Sequence, residues 1–339
     1  MSKGIIRQAV PIGLAIGLLW YVLKDVPLTE LADQFRRADY RWLALTGLLI
    51  GLYHLVRAVR WQLTLQALGY QPSLFRTTVA LLAGTLTSMI IPGAGELTRC
   101  VTLQRTDDVP LAQSFGSVVA ERVIDLLMLL GLVGLTLLLE YDRVGQYITN
   151  LLAPLRARFT ATGQPGFVLG VALLITLVVV GLLYWLARKY GRQNLFVTRL
   201  LGIGRDVGRG FMGIRQLRRP GLFVALTLLT ELLLLLITYA LFFASSQTSD
   251  LPPTAALTIL TVSSLGGIVA PTQGGLGTYH FLVSRVLMLY GMNETDGVVT
   301  ATFLHAVQVG FSLLFSSVSF LIVPIIIRQR MKQSQKPVV

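Results

Sequence analysis

Two apolar stretches of the sequence are each interrupted by a glycine-containing turn that carries polar residues. The first turn and the start of the helix after it supply Pro92, Gly95, Glu96 and Arg99. The second supplies Pro271, Gly274, Gly275, Gly277 and His280. A broken helix leaves backbone N–H and C=O groups that lipid cannot satisfy, so such breaks persist only where protein or water surrounds them. A matched pair of breaks in the two halves of a chain indicates a transporter's binding site.

The helix that begins after each turn offers an anion free backbone N–H groups and the positive end of the helix dipole. In the first helix, Arg99 is the candidate ligand, and Glu96 is a candidate cap for the free N–H groups. In the second turn, the glycines let a ligand approach the backbone, and a plain helix-breaking turn is the alternative. The residue types therefore predict a site that suits a phosphate.

The densest charged cluster lies on a later helix and consists of Glu121, Arg122 and Asp125. Glu121 and Asp125 are four residues apart and share a helix face, with Arg122 three residues before Asp125. One interpretation is that the two carboxylates hold the arginine where it can bind phosphate. Another is that a carboxylate couples transport to protons. A third is a structural clamp that joins Arg122 or Asp125 to the hairpin containing Pro92.

Other ionisable residues lie in apolar stretches, where a charge costs about 2.5–3.5 kcal/mol at the bilayer centre. Arg57 is interpreted as a deep residue and a candidate ligand, whereas Arg60 and Trp61 are typical of anchoring at the membrane interface. Glu231 lies well inside its stretch and has no local partner. Eight unpaired charges would cost on the order of 20 kcal/mol, more than a typical folding stability. We therefore expect these groups to pair or to line a hydrated cavity. The eight are Arg57, Glu96, Arg99, Glu121, Arg122, Asp125, Glu231 and Arg285.

Composition places all these residues in a membrane protein. Hydrophobic residues make up 54% of the 339 and charged residues only 13%, and the mean hydropathy is +0.69. Because about 20 apolar residues span a bilayer, the sequence predicts six spans. They are Ile5–Leu23, Trp42–Leu63, Gly116–Leu139, Gly166–Ala187, Leu222–Ala244 and Val298–Ile327. Two further apolar stretches, Leu74–Ile91 and Thr254–Ala270, lead into the broken turns.

Charge predicts the orientation of these spans. The net charge is +13, and much of the excess lies in residues 188–219, a predicted basic cytoplasmic loop, and in the tail 328–339. The positive-inside rule places both in the cytoplasm, together with the N-terminus. The protein is thus expected in the cytoplasmic membrane with both termini cytoplasmic. Contact of the basic loop with anionic lipid is expected, and no nucleic acid is expected as a partner.

The parity of the spans then predicts what the broken stretches do. The chain from Leu74 to Pro110 must leave the cytoplasmic side and return to it, which makes a re-entrant hairpin. The stretch from Thr254 to Tyr290 is either a hairpin entering from outside or two full spans. The first choice makes the halves, about 1–165 and 166–327, inverted copies. The predicted fold is all-α: a polytopic membrane protein in one domain, with about six full spans and two inverted re-entrant hairpins.

Motifs of soluble enzymes are missing from the sequence. It contains no HExxH, no G-x-S-x-G, no Walker A sequence and no Cys/His spacing of a metal site. Asp107 and Asp108 are interpreted as the end of a helix ahead of Pro110. No catalytic residue, cofactor or metal is therefore predicted, and the protein is not expected to be an enzyme.

The order and spacing of three motifs resemble the flippase-like membrane region of lysylphosphatidylglycerol synthases. The motifs are Pro92-Gly93-Ala94-Gly95-Glu96-x-x-Arg99, Glu121-Arg122-x-x-Asp125 and Pro271-x-x-Gly274-Gly275-x-Gly277. The resemblance covers about residues 10–327 and implies movement of an anionic or aminoacylated lipid between leaflets, in a stand-alone member without the soluble aminoacyl-transferase domain. The sequence departs from the family pattern at Gly93, often a basic residue, and at His280, often an acid. A histidine there predicts transport that is sensitive to pH near neutrality.

The leading functional hypothesis is translocation of an anionic, aminoacylated or polyprenyl-phosphate lipid. Its site would lie between the hairpin tips and the helix face that carries Glu121 and Asp125. A non-transporting scaffold or accessory subunit, in which the charges only hold helices together, is the second hypothesis. An ion-coupled transporter of a small anion is the third.

Overall fold

The computed structural model describes residues 28–141, 143 and 216–334, and each regular element in these ranges is a helix. The predicted spans Ile5–Leu23 and Gly166–Ala187 lie outside the described residues, as does most of the basic loop 188–219. We number the helices in chain order: α1 Leu28–Arg37, α2 Tyr40–Ala67, α3 Leu74–Ile90, α4 Ala94–Asp107, α5 Leu111–Leu139, α6 Pro220–Phe242, α7 Pro253–Val269, α8 Thr278–Leu289 and α9 Glu294–Ser334.

Four of these helices are long and apolar enough to cross a membrane: α2, α5, α6 and α9. They confirm four of the six predicted spans, with ends that lie within a few residues of those expected. Only a minority of residues in each apolar window are buried inside the protein. Their outward leucines, such as Leu127 and Leu138, are therefore placed to contact lipid rather than water.

Helices α3 and α4 form the first hairpin. At 17 and 14 residues, both are shorter than the roughly 20 residues needed to span. They run antiparallel, because Arg76 near the start of α3 pairs with Asp107 at the end of α4 at 3.0 Å. Gly93 forms the tip with a φ of +77°, which favours glycine. The end of α4 ahead of Pro110 confirms the interpretation of Asp107 and Asp108.

Helices α7 and α8 form the second hairpin, with 17 and 12 residues. The Thr258 and Tyr290 hydroxyls lie 3.2 Å apart at its base, and the Thr278 hydroxyl donates to the Ala270 carbonyl near its tip. The tip contains one short 3-10 turn, Gln273–Gly275. Positive φ angles at this tip fall on glycines, namely Gly274, Gly275 and Gly277. The glycine-rich motif is therefore a conformational requirement of the turn.

Helix α9 runs along the second hairpin from its base towards its tip. At the start of α9, Glu294 pairs with Arg285 of α8 at 2.9 Å. Eleven residues later, the His305 imidazole Nε2 lies 2.9 Å from the Gly274 carbonyl oxygen. Because a carbonyl can only accept, Nε2 carries the proton in this contact.

The far end of α9 reaches the base of the first hairpin, where Arg330 pairs with Asp108. The two hairpin bases therefore lie at opposite ends of α9. The tips meet between them, since a Cβ added to Gly274 would lie 4.0 Å from the Met89 side chain. The two broken stretches are thus helical hairpins of opposite direction, as the sequence predicted, rather than two further full-length helices.

Candidate functional site

A chain of ion pairs begins where the first hairpin packs on α5. The Arg99 guanidinium lies 3.1 Å from the Glu121 carboxylate of α5 and 2.8 Å from the Glu96 carboxylate one turn before it. Its other face lies over the Trp61 ring of α2, at 4.6 Å from the ring centroid. The Trp61 indole N–H donates in turn to the Ser117 hydroxyl of α5. Arg99 is therefore enclosed by three helices, with its charge matched by carboxylates.

The chain of ion pairs continues along α5. Arg122 lies 3.5 Å from Glu96 and 2.9 Å from Asp125, and Asp125 lies 2.8 Å from Arg60 of α2. The three carboxylates predicted by sequence thus bind three arginines, and each carboxylate also links neighbouring helices. The structural clamp between α5 and the first hairpin is present.

Arg57 differs from the other three arginines of this region. It lies one turn before Arg60 on α2, but in the part of the chain that the structure describes it forms no ion pair. Its guanidinium lies 5.4 Å from the centroid of the Tyr53 ring, which is a weak cation–π contact. Among the described residues, no carboxylate therefore neutralises the positive charge of Arg57 by direct contact.

Two local interpretations of the sequence are wrong. Arg60 and Trp61 do not anchor at the membrane interface, because their exposed fractions are 1% and 0%. They lie in the interior because Arg60 has a carboxylate partner and Trp61 packs beneath Arg99. Glu96 does not cap α4, because no side-chain cap hydrogen bond forms at the N-cap Gly93. The Glu96 carboxylate is instead held by the two arginines beside it.

A cavity of about 370 Å³ lies between the two hairpin tips. The first tip contributes Pro92, Gly93 and Gly95, and the second contributes Pro271, Thr272, Gly274 and Gly275. The charged side chains that line it are Arg57, Glu96, Arg99 and Arg122. We call this the tip cavity. Three arginines against one carboxylate, which already contacts two of them, make it suited to an anion.

A second cavity of about 470 Å³ lies between α2, α5, α6 and α7, and Arg57 and Arg122 line both cavities. We call it the side cavity. One part of its wall is charged, with Arg60, Asp125 and Glu231. Another part is apolar, with Leu126, Leu129, Leu132, Leu234 and Ile268. Leu126 and Ile268 are exposed on the flank of the protein, so the apolar part faces the lipid side.

The turn of the second hairpin is fixed from behind by two histidines. His305 bonds the Gly274 carbonyl and stacks on the Tyr279 ring at 4.5 Å. His280, which is 3% exposed, accepts a hydrogen bond from the Gly277 N–H through Nδ1 at 3.2 Å. This bond caps the start of α8 and keeps that Nδ1 free of a proton. His280 supports the turn and does not line the tip cavity.

Residues 8–316 match the family described as "Lysylphosphatidylglycerol synthase TM region". The chain belongs to this family. Comparison with curated proteins and with solved structures found no match in either group. Membership indicates a membrane protein of lipid synthesis or translocation, which agrees with the apolar helices described above.

Within this family member, the structure brings most of the sequence-predicted site residues together. Those that line the tip cavity are Arg57, Pro92, Gly95, Glu96, Arg99, Arg122, Pro271, Gly274 and Gly275. Asp125 lines the side cavity, while Glu121, Gly277 and His280 stand behind the cavities and hold their walls.

Sequence reasoning missed three contributors to this family member's cavities. Arg60 was assigned to the interface, and Ser88 and Thr272 were given no role, although both line the tip cavity. The position of Arg60 one turn after Arg57 was the available signal, because residues three apart share a helix face. For Ser88 and Thr272 the signal was their place beside the two broken turns.

Proposed function

We propose that the protein translocates a lipid with an anionic phosphate headgroup between the leaflets of the membrane. The observation that carries this proposal is Arg57, a membrane-embedded arginine without an ion-pair partner in the described residues, at the junction of the two cavities. An arginine at membrane depth without a paired carboxylate is costly, so a site that retains one is suited to an anionic ligand that pairs with it. A phosphate oxygen at Arg57 does so.

The two cavities match the two parts of such a lipid. The tip cavity has arginines and turn backbone for the headgroup, and the side cavity has an apolar wall that opens to the lipid flank for the chains. A small anion needs no apolar wall, which favours a lipid over a small solute. The inverted hairpins give the headgroup a protein-lined position between the membrane faces.

For orientation, we propose that the base of the first hairpin and the tail lie on the cytoplasmic side of the cytoplasmic membrane. The basic residues 188–219 and the end of α9, with Arg328 and Arg330, support this through the positive-inside rule.

The scaffold hypothesis has one specific observation in its favour. Arg99, Glu121 and Glu96 are joined in a buried network that holds the first hairpin on α5. Such a network suits a role in which charges only fix helices. The scaffold hypothesis gives no role to Arg57 or to the two cavities, so we favour translocation.

The test is lipid transfer in proteoliposomes that contain the wild type, Arg57→Gln or Arg57→Lys. Labelled anionic phospholipid, aminoacylated phospholipid and a polyprenyl phosphate are assayed in parallel. A hydrogen bond to a charged group contributes about 1.5–3 kcal/mol, so Arg57→Gln should slow transfer by about 10- to 100-fold. Arg57→Lys should retain part of the rate, because it keeps the charge without the planar guanidinium.

The matched control is Arg285→Gln, which removes an arginine at the base of the second hairpin, where its partner Glu294 is exposed. It should transfer lipid at the wild-type rate. Absence of transfer by folded wild type for all three lipids would contradict the proposal. Uptake of labelled inorganic phosphate into the same vesicles, without lipid transfer, would favour the small-anion transporter.

A further inference from the structure

Glu231 lies near the middle of α6, eleven residues after the helix begins, and lines the side cavity. It is half-buried, and within the residues that the structure describes neither an ion pair nor a hydrogen bond reaches its carboxylate. The other carboxylates of the region, Glu96, Glu121 and Asp125, each contact an arginine. Glu231 is therefore the acid of the two cavities whose charge is least fixed by a partner.

The charges around the two cavities nearly balance. Among the residues that the structure describes, the arginines lining the two cavities number four and are Arg57, Arg60, Arg99 and Arg122. The carboxylates that pair with them in the described part of the chain number three and are Glu96, Glu121 and Asp125. With Glu231 ionised, positive and negative charges are equal in number. With Glu231 protonated, one positive charge of this described set is in excess, and Arg57 is its arginine without an ion pair.

The balance of charges around the cavities determines in which protonation state of Glu231 an anion binds more favourably. A low-dielectric site tolerates paired charges and penalises an uncompensated one. When Glu231 is ionised, a bound phosphate monoanion leaves the site with one negative charge too many. When Glu231 carries a proton, the same anion neutralises the excess positive charge. Binding of the anion and protonation of Glu231 therefore favour each other.

We propose that Glu231 couples lipid movement to protons, one proton accompanying each phosphate monoanion as a symport. This inference rests on the proposed function, and it adds the energy source and the direction. The proton binds the Glu231 carboxylate on the side where the lipid enters and leaves on the side where the lipid departs, so no net charge moves. The lipid is driven towards the leaflet on the more alkaline side.

The other titratable groups around Glu231 do not offer the same coupling. Arginines stay protonated across the accessible pH range, and Asp125 is held ionised by Arg60 and Arg122. Tyr53 lines the side cavity and Tyr239 lies on α6 itself, but a phenol releases its proton far less readily than a carboxylic acid. Helix α7 contributes no ionisable residue to this contact.

Among the described residues of the helices packed on α6, His54 on α2, the helix most extensively packed on it, is the remaining candidate. Its ring is buried, and neither ring nitrogen has a hydrogen-bond partner in the described structure. It lines neither the tip cavity nor the side cavity. It is therefore the group against which Glu231 must be compared.

The experiment follows a fluorescent phosphatidylglycerol, a phosphate monoanion, in proteoliposomes with an imposed pH gradient; if that lipid does not move, the labelled polyprenyl phosphate replaces it. Wild type should enrich the lipid in the leaflet on the alkaline side, approaching about tenfold per pH unit for one proton per lipid. For phosphatidylglycerol, an imposed membrane potential should not shift the distribution. Because a symport does not depend on which way the protein is inserted, random orientation does not cancel the signal.

Glu231→Gln is neutral at every pH and should abolish enrichment by the gradient, whereas Glu231→Asp should retain it. The matched controls are His54→Gln and Glu294→Gln, the latter an exposed acid at the base of the second hairpin. Both should respond to the gradient as the wild type does.

The inference is overturned if wild type transfers lipid without responding to the pH gradient, a result that leaves the translocase itself standing. It is also overturned if Glu231→Gln keeps the response or if His54→Gln abolishes it. If wild type moves neither lipid at any pH, the proposed function fails first, and the coupling fails with it.

Discussion

Arg99 of the first hairpin and Glu121 of α5 lie 3.1 Å apart, with side chains only 3% and 2% exposed. The two residues are 22 positions apart and join two helices at the depth of the cavities. Their pairing explains how two charged side chains are tolerated in an apolar region. Because Arg99 also lines the tip cavity, the same ion pair that holds the first hairpin on α5 shapes that cavity.

Replacement of Arg99 by glutamine should destabilise the protein strongly. The buried Glu121 carboxylate would lose its ion-pair partner, and breaking a buried pair by removing one member costs about 3–5 kcal/mol. Thermal denaturation of the protein purified in detergent measures this loss of stability. Arg285→Gln is the control, because its ion pair with Glu294 is largely exposed and worth about 0–1 kcal/mol. Equal stabilities of the two variants would refute the clamp.

A methyl group at Gly95 should separate the arms of the first hairpin. A Cβ there would collide with the Ser88 hydroxyl and with the Gly84 carbonyl. Gly95→Ala is therefore expected to lower the free energy of unfolding by about 1–3 kcal/mol, the usual cost of overpacking. Gly131→Ala on α5 is the matched control, since apart from its chain neighbours and the backbone of its own helix no atom lies within 4 Å of its added Cβ. That variant should be neutral or more stable by up to about 1 kcal/mol, because alanine favours helix.

The cap provided by His280 should survive replacement by glutamine but not by leucine. The Gly277 N–H needs an acceptor at the start of α8, and glutamine three residues after the N-cap can supply one. His280→Leu should lose about 1 kcal/mol of stability, while His280→Gln should lose less. Hydrogen exchange of the Gly277 amide reports the bond directly. Equal protection of that amide in both variants would show that the cap is unimportant.

Cysteines placed at the bases of the two hairpins should be labelled from opposite sides of the membrane. Gln71 lies in the exposed turn before the first hairpin and Asn293 in the exposed turn after the second. A membrane-impermeant maleimide applied to intact cells or sealed vesicles should modify Gln71→Cys and Asn293→Cys from different faces. Cys100 is fully buried, so the wild type serves as the unlabelled control. Labelling of both positions from one face would contradict the inverted arrangement.

Much of this fold could be predicted from the sequence, because each helix of a membrane protein must satisfy its own backbone within the segment. Apolar length identified α2, α5, α6 and α9 as spans, and the glycine turns identified the hairpins. Gly93 marks the first tip and Gly274 marks the second, since few residues other than glycine tolerate the positive φ that such turns require.

Which charges pair could not be predicted, because pairing depends on how helices far apart in the sequence rotate and pack against one another. Arg60 shows this: its neighbour Trp61 and the end of an apolar stretch are typical of an interface, yet packing places it 2.8 Å from Asp125. Sequence by itself determined that the charges must be matched. Only the tertiary structure decided that Glu121 binds Arg99 and that Arg57 has no ion pair among the described residues. It also decided that Arg57 and Glu231 line the same cavity. The physical reason is that hydrophobicity acts along each segment, whereas ion pairing acts over a few ångströms between segments.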